Sequence, residues 1–170
     1  AGLRAVRVAT YQSASGKGAR RLQQLLDEPQ AEHDLSADWS FDGEEFDEET
    51  KIREETRKIL ELPELPISAT CVRVPVAVGH AESVWVETEE PLDASRAREV
   101  LAAAPSVRVD EFPTPRAAAG GDEVLVGRIR PDRAGDGLSL HLACDNLRKG
   151  AALNGIQIAE LVLSERPVAA

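Results

Sequence analysis

ISATCVRVPVAVGHAESVWVETEE, residues 67–90, is the stretch of this chain whose reading decides the fold. Both arms are rich in β-branched residues, and Gly79 stands between them where a turn is needed. The pattern predicts a β-hairpin over 67–90. Working outward, LRAVRVATY (3–11) reads as another strand, and SVRVDEF (106–112), DEVLVGRIRP (122–131) and GLSLHLACDN (137–146) as three more. Helical spacing appears in ARRLQQLL (19–26), with leucines at 22, 25 and 26, and over 46–62, where Phe46, Ile52, Ile59 and Leu60 sit among charges. Pro63 ends that second helix. LDASRAREVLAA (92–103) predicts a short helix with Asp93 as N-cap. LRKGAALNGIQIAELVL (147–163) predicts a long apolar one capped by Asp145. Between the first two helices lies an acidic, irregular passage over 27–46, punctuated by Pro29 and Gly43. Strands outnumber helices and adjoin one another. The expected fold class is therefore α+β, with a mixed, largely antiparallel sheet and helices packed on one face.

Composition narrows the function. The 170 residues suit one domain and 42% are apolar, enough for a core. Thirty acidic against twenty basic residues give −10, which argues against nucleic acid as a partner, because phosphate-backbone binders need a basic face. No apolar run nears the ~20 residues of a membrane span, and no signal segment opens the chain, so a soluble cytoplasmic protein is expected. Cys71 and Cys144 are the only cysteines. They lie far apart in apolar strand contexts and read as small buried residues. With the three histidines scattered as well, no metal site is expected. Methionine is absent and the chain opens almost at once inside a strand, which is what a piece of a longer protein would show.

Several polar residues stand out. His80 sits at the expected hairpin turn, where an imidazole can take or return a proton near neutral pH. Arg73 interrupts an apolar strand and needs an anionic partner; its guanidinium can hold a carboxylate by two bonds. Glu48 and Lys51 are three apart on a helix and share a face. Gln12 ends the first strand with an amide able both to donate and to accept. Ser15 and Gly16 follow just before a helix, where small residues allow close approach. Asn146 neighbours the cap of the last helix.

TYQSASGKG (10–18), EETKIREETRKIL (48–60), ISATCVRVPVAVGHAESV (67–84) and CDNLRKGAALNGIQIAE (144–160), in this order and joined by GGDEVLVGRIR (120–130), resemble the C-terminal domain of aspartate-β-semialdehyde dehydrogenase. The resemblance covers about residues 3–162. It departs at 27–46, where many relatives carry a longer, more apolar passage.

The resemblance implies a glyceraldehyde-3-phosphate-dehydrogenase-like fold over the whole chain, 1–170, serving as substrate-binding and dimerisation domain. It implies the reductive dephosphorylation of aspartyl phosphate by NADPH, through a thioester on a cysteine upstream of TYQ, in a half of the enzyme that also holds most of the NADP. It implies His80 as the acid–base group and Arg73 as the clamp on the substrate α-carboxylate. Lys51 would lie at the phosphate site and Glu48 near the substrate amine. Gln12 would orient the substrate or thioester, and Ser15, Gly16 and Asn146 would lie along the cofactor. Partners are then the small substrate and phosphate, the N-terminal domain of the same enzyme and a second copy in a homodimer.

Gln12, Lys51, Arg73 and His80, from three separate segments, are expected to converge at one rim of the sheet. His80 would be partly exposed there, its pKa less perturbed than in the closed enzyme. A related enzyme acting on N-acetyl-γ-glutamyl phosphate is one alternative, disfavoured by RVPVAVGH together with NLRKGAALN. A non-catalytic scaffold is the other. It would have no need to keep Gln12, Arg73, His80 and Asn146 together.

Overall fold

The computed structural model describes residues 2–28 and 38–164. Residues 29–37 of the acidic passage over 27–46 therefore lie outside the described residues. The elements run β1 (Leu3–Gln12), α1 (Ala19–Asp27), α2 (Asp47–Leu60), β2 (Ile67–Arg73), β3 (His80–Thr88), α3 (Ala94–Ala102), β4 (Val107–Val109), α4 (Pro115–Ala118), β5 (Val124–Pro131), β6 (Gly137–Cys144) and α5 (Leu153–Ser164). The six strands form one sheet in the order β2-β1-β3-β6-β5-β4. Three pairings are antiparallel, and β1·β2 and β4·β5 are parallel. This is the mixed, largely antiparallel α+β sheet the sequence predicts.

The hairpin over 67–90 does not form. β2 and β3 flank β1 on its two sides, β2 parallel to it and β3 antiparallel. The reason lies in both segments. β1 is ten residues long and buries Val8, Thr10 and Gln12, so it can lie between the two arms and satisfy backbone groups on both edges. The link between the arms, VPVAVG (74–79), is too long for a tight turn and contains Pro75. It crosses the end of β1 instead: Val74 N donates to Gln12 O (2.9 Å), Ala14 N to Val76 O (2.8 Å) and Ser15 N to Ala77 O (3.1 Å). Gly79 takes φ 97° where the crossing turns into β3, and a Cβ there would meet Pro115 O at 2.6 Å. This crossing lays residues 12–16 against 73–80 and so creates the site described below.

Residues opposite one another in the register share a face. Val8, Thr10 and Gln12 therefore lie with Ala69, Cys71 and Arg73 of β2 and with Val84 and Glu82 of β3. The same face carries Val126, Leu138, Leu140 and Leu142, against which α3 packs Ala97 and Leu101. Asp93 caps α3 as expected, its carboxylate accepting from Arg96 N at 2.8 Å. α2 flanks the same face at β2. The single turn α4 covers a small cluster on the other face, Ala81, Leu125 and Ala143 with Tyr11 beside them. Elsewhere that second face is an open groove lined by Arg7, Ala9, Thr70 and Trp85.

The last helix differs from its reading in one respect. Asp145 accepts from Leu147 N (2.8 Å) and Arg148 N (2.9 Å) as a cap should. The turn over Arg148–Ala152 is then distorted, with Ala151 at φ −143° and ψ −108°, and regular helix begins only at Leu153. α5 presents Ile156, Ile158, Leu161, Val162 and Leu163 to solvent, each about half exposed or more. Among the described residues no helix is long and apolar enough to cross a membrane, and no group of three or more His, Cys, Asp or Glu is placed to hold a metal ion.

Candidate active site

Three separate pieces of chain meet at the crossing. Arg73 ends β2, is 4% exposed, and donates from Nη1 to Gln12 Oε1 (3.3 Å) and to Ser13 O (3.1 Å). His80 opens β3 on the same face, with Ser13 N donating to its Nδ1 at 3.0 Å. Gly16 lies between them. A Cβ on that residue would approach Arg73 Nη1 to 2.9 Å and His80 Cε1 to 3.0 Å, so only glycine leaves both the guanidinium and the imidazole undisturbed. From Gln12 the contacts continue to α2: its Nε2 donates to Glu48 Oε1 (3.2 Å), and Glu48 Oε2 accepts from Lys51 Nζ (3.3 Å). The Gln12 amide thus both donates and accepts, the property for which the sequence singles it out.

The neighbouring carboxylates separate by environment. Glu49 is buried; its carboxylate accepts from Phe46 N (2.9 Å) and from Cys71 N (2.8 Å), which ties α2 to β2. Glu48 is the one that faces the site.

Asn146 organises the other side. Its Oδ1 accepts from Gly79 N (2.8 Å), Ser13 Oγ (3.1 Å) and Ser15 Oγ (3.2 Å), and its Nδ2 reaches Ser15 Oγ at 3.0 Å. Ser13 is fully buried and Ser15 is 6% exposed. In this state Ser15 and Asn146 therefore hold one another and the backbone beside His80. Gly16 is exposed beside them, and Asn146 Nδ2 has a second N–H that could meet the amide of a cofactor there.

The backbone fixes the form of His80. A ring nitrogen that accepts from Ser13 N–H cannot carry a proton, so the neutral ring holds its proton on Nε2. Burial, and then the positive charge of Arg73, push its pKa down to about 4, although the ring is only half-buried. The partial exposure matches expectation, and the pKa still lies far below that of a free imidazole. At neutral pH His80 is thus an uncharged N–H donor, suited to an oxygen that gains negative charge. Taking a proton at Nε2 would first require the tautomer that Ser13 disfavours. Burial, reinforced by nearby carboxylates, pushes the thiols of Cys71 and Cys144 up to about 11, so neither is a thiolate near neutral pH.

Three contributors escaped the sequence reading. Ser13 was passed over because nothing distinguishes it from Ser15 in a run of small residues. Asp38 and Trp39 sit in the acidic passage. Asp38 Oδ1 accepts from Arg73 Nη2 (3.3 Å) and Nε (3.4 Å), and the guanidinium carbon stands 4.5 Å from the Trp39 ring centroid. The only signal was a tryptophan inside an otherwise acidic loop.

A mixed sheet of this fold is found in solved structures of one family. Residues 1–149 match the family described as semialdehyde dehydrogenase, dimerisation domain, and the chain belongs to it. Its relatives are aspartate-semialdehyde dehydrogenases: that of Mycolicibacterium smegmatis is 42% identical, covering 97% of this chain and 58% of its own length. That of Aquifex aeolicus is also 42% identical, with 97% and 56% covered. Among solved structures, aspartate semialdehyde dehydrogenase II of Vibrio cholerae, complexed with ASA, superposes with TM-score 0.89 at 36% identity over 97% of this chain and 56% of the other. The Candida albicans enzyme with NADP gives TM-score 0.73 at 25% identity over 95% and 50%. The chain spans a little over half the length of the relatives it matches.

Proposed function

We propose that this chain is the substrate-binding and dimerisation half of an NADP-dependent aspartate-semialdehyde dehydrogenase, a cytoplasmic enzyme of lysine, methionine and threonine biosynthesis. The observation that carries the reading is that Gln12, Arg73 and His80, from separate segments, meet around Ser13 on one face of the sheet. The substrate has a carboxylate at one end, an acyl phosphate at the other and the reacting carbonyl between. Arg73 offers the two-pronged edge for the carboxylate. Lys51 supplies a mobile point charge for phosphate, and Glu48 beside Gln12 lies where a substrate ammonium can be held. His80 donates from Nε2 to the oxygen on which negative charge gathers as the thiolate of the N-terminal half attacks. NADP, when bound, supplies the hydride chemistry at this centre.

Two surfaces fit the partners. The open sheet face around Arg7, Ala9, Thr70 and Trp85 is the side available to a second copy. The apolar side chains of α5 are available to the N-terminal domain of the same enzyme.

The test is the phosphate-dependent reduction of NADP by the complete enzyme, run in parallel with aspartate semialdehyde and with N-acetylglutamate semialdehyde. Turnover with the first and not the second is expected. Preference for the second would assign the chain to the related reductase, and turnover of neither would make it a scaffold.

A further inference from the structure

Arg73 has one edge left for a carboxylate, and the chain already fills it. Nη1 is committed to Gln12 Oε1 and Ser13 O. A bidentate carboxylate therefore has only the Nε/Nη2 edge, and there Asp38 Oδ1 accepts at 3.4 and 3.3 Å. Asp38 is held in place from several sides. Lys17 Nζ donates to Asp38 O at 2.6 Å and stands 3.8 Å from its carboxylate. Trp39 lies over the guanidinium and against Phe46, Phe46 contacts Phe41, and Asp47 N donates to Ser40 O.

From this geometry we infer that Asp38 is the resting counter-ion of Arg73, and that a substrate carboxylate binds by displacing it, so that Asp38 sets the affinity for substrate. The inference rests on the reading of Arg73 as the carboxylate clamp. A guanidinium buried as deeply as Arg73 is costly without an anion, so an empty site needs one. Asp38 provides it cheaply to reverse. Both of its bonds are long and end on a single oxygen, whereas a substrate carboxylate can meet the two N–H groups with two oxygens, the stronger arrangement. Asp38 is also the more exposed partner, its side chain 26% accessible against 4% for Arg73, and so the one able to swing into water.

The experiment is steady-state kinetics of the complete enzyme with aspartate semialdehyde, comparing wild type with Asp38→Asn, Asp38→Glu and Arg73→Lys. Without the competing charge, Asp38→Asn should lower KM about threefold to thirtyfold, the worth of one part-buried charged contact, with kcat within about twofold. Asp38→Glu, which keeps a competing carboxylate, should not show that fall in KM. If Asp38→Asn misfolds, Asp38→Ser serves in its place. An unchanged or raised KM in both neutral variants would overturn the inference, as would a large fall in kcat, which would make Asp38 a support for Arg73. If Arg73→Lys also leaves KM and kcat/KM untouched, the clamp reading itself fails and this inference falls with it. If Arg73→Lys impairs the enzyme while the Asp38 variants match wild type, only the displacement is refuted.

Discussion

His80→Ala should lower kcat of the complete enzyme by about 10²–10⁴-fold, the usual worth of a positioned proton-transfer or oxyanion-directed group. The argument runs from the backbone outward. The crossing of residues 74–79 over β1 brings Ser13 N–H onto His80 Nδ1, which leaves the proton on Nε2. Burial first, and Arg73 second, keep the ring uncharged down to a pKa of about 4. His80→Gln, whose amide can donate but not shuttle a proton at neutral pH, should then retain more activity than His80→Ala. The rate should show no loss assignable to His80 protonation until pH approaches 4. Long-range ¹H–¹⁵N correlations on the chain would report the same state directly, as the Nε2–H tautomer at pH 7 with a midpoint near 4. A midpoint near 6.5, or the Nδ1–H tautomer, would overturn this account of the ring. The sign carries over to stability. The unfolded chain binds the proton more readily between about 4 and 6.5, so His80 adds stability as pH rises through that window and loses it as pH falls.

Arg73→Lys should cut kcat/KM for aspartate semialdehyde by about tenfold to a hundredfold, the equivalent of one charge-assisted contact worth roughly 1.5–3 kcal/mol. Lysine keeps the charge but loses the planar fork. It also loses the ability to hold Gln12 Oε1 and Ser13 O with one nitrogen while offering a second edge to substrate. Because Ser13 positions His80, part of the loss should fall on kcat and not on KM alone. A specificity constant equal to wild type would refute the clamp.

The sequence carried the strands, the helices and the list of polar residues well, and their spatial relations less well. β-branched arms and Gly79 read as a hairpin because periodicity reports which segments are strands, not which strand lies beside which. The place of β1 between β2 and β3 depends on residues 74–77 finding 12–15, a contact between distant parts of the chain that no local pattern encodes. Asp145 was legible as a cap because its partners are the next few residues. The break at Ala151 was not, since GAAL reads as unbroken helix. In the site, Arg73 and His80 announced themselves as a charge in an apolar strand and an imidazole at a turn. Ser13 acts through a backbone N–H and carbonyl that most residues possess and through a hydroxyl that Ser15 possesses too, so its type carried little information. Asp38 was one acid among many, and its role comes from its place beside Arg73.

The central claim is that Gln12, Arg73 and His80 form one substrate site, and the most direct test is a crystal structure of the complete enzyme with aspartate semialdehyde bound. The account predicts the substrate carboxylate on the Nε/Nη2 edge of Arg73 at about 2.7–2.9 Å, with Asp38 withdrawn. It places the aldehyde oxygen within hydrogen-bond reach of His80 Nε2, at about 3 Å. A substrate bound with its carboxylate away from Arg73, or its aldehyde out of reach of His80, would contradict it.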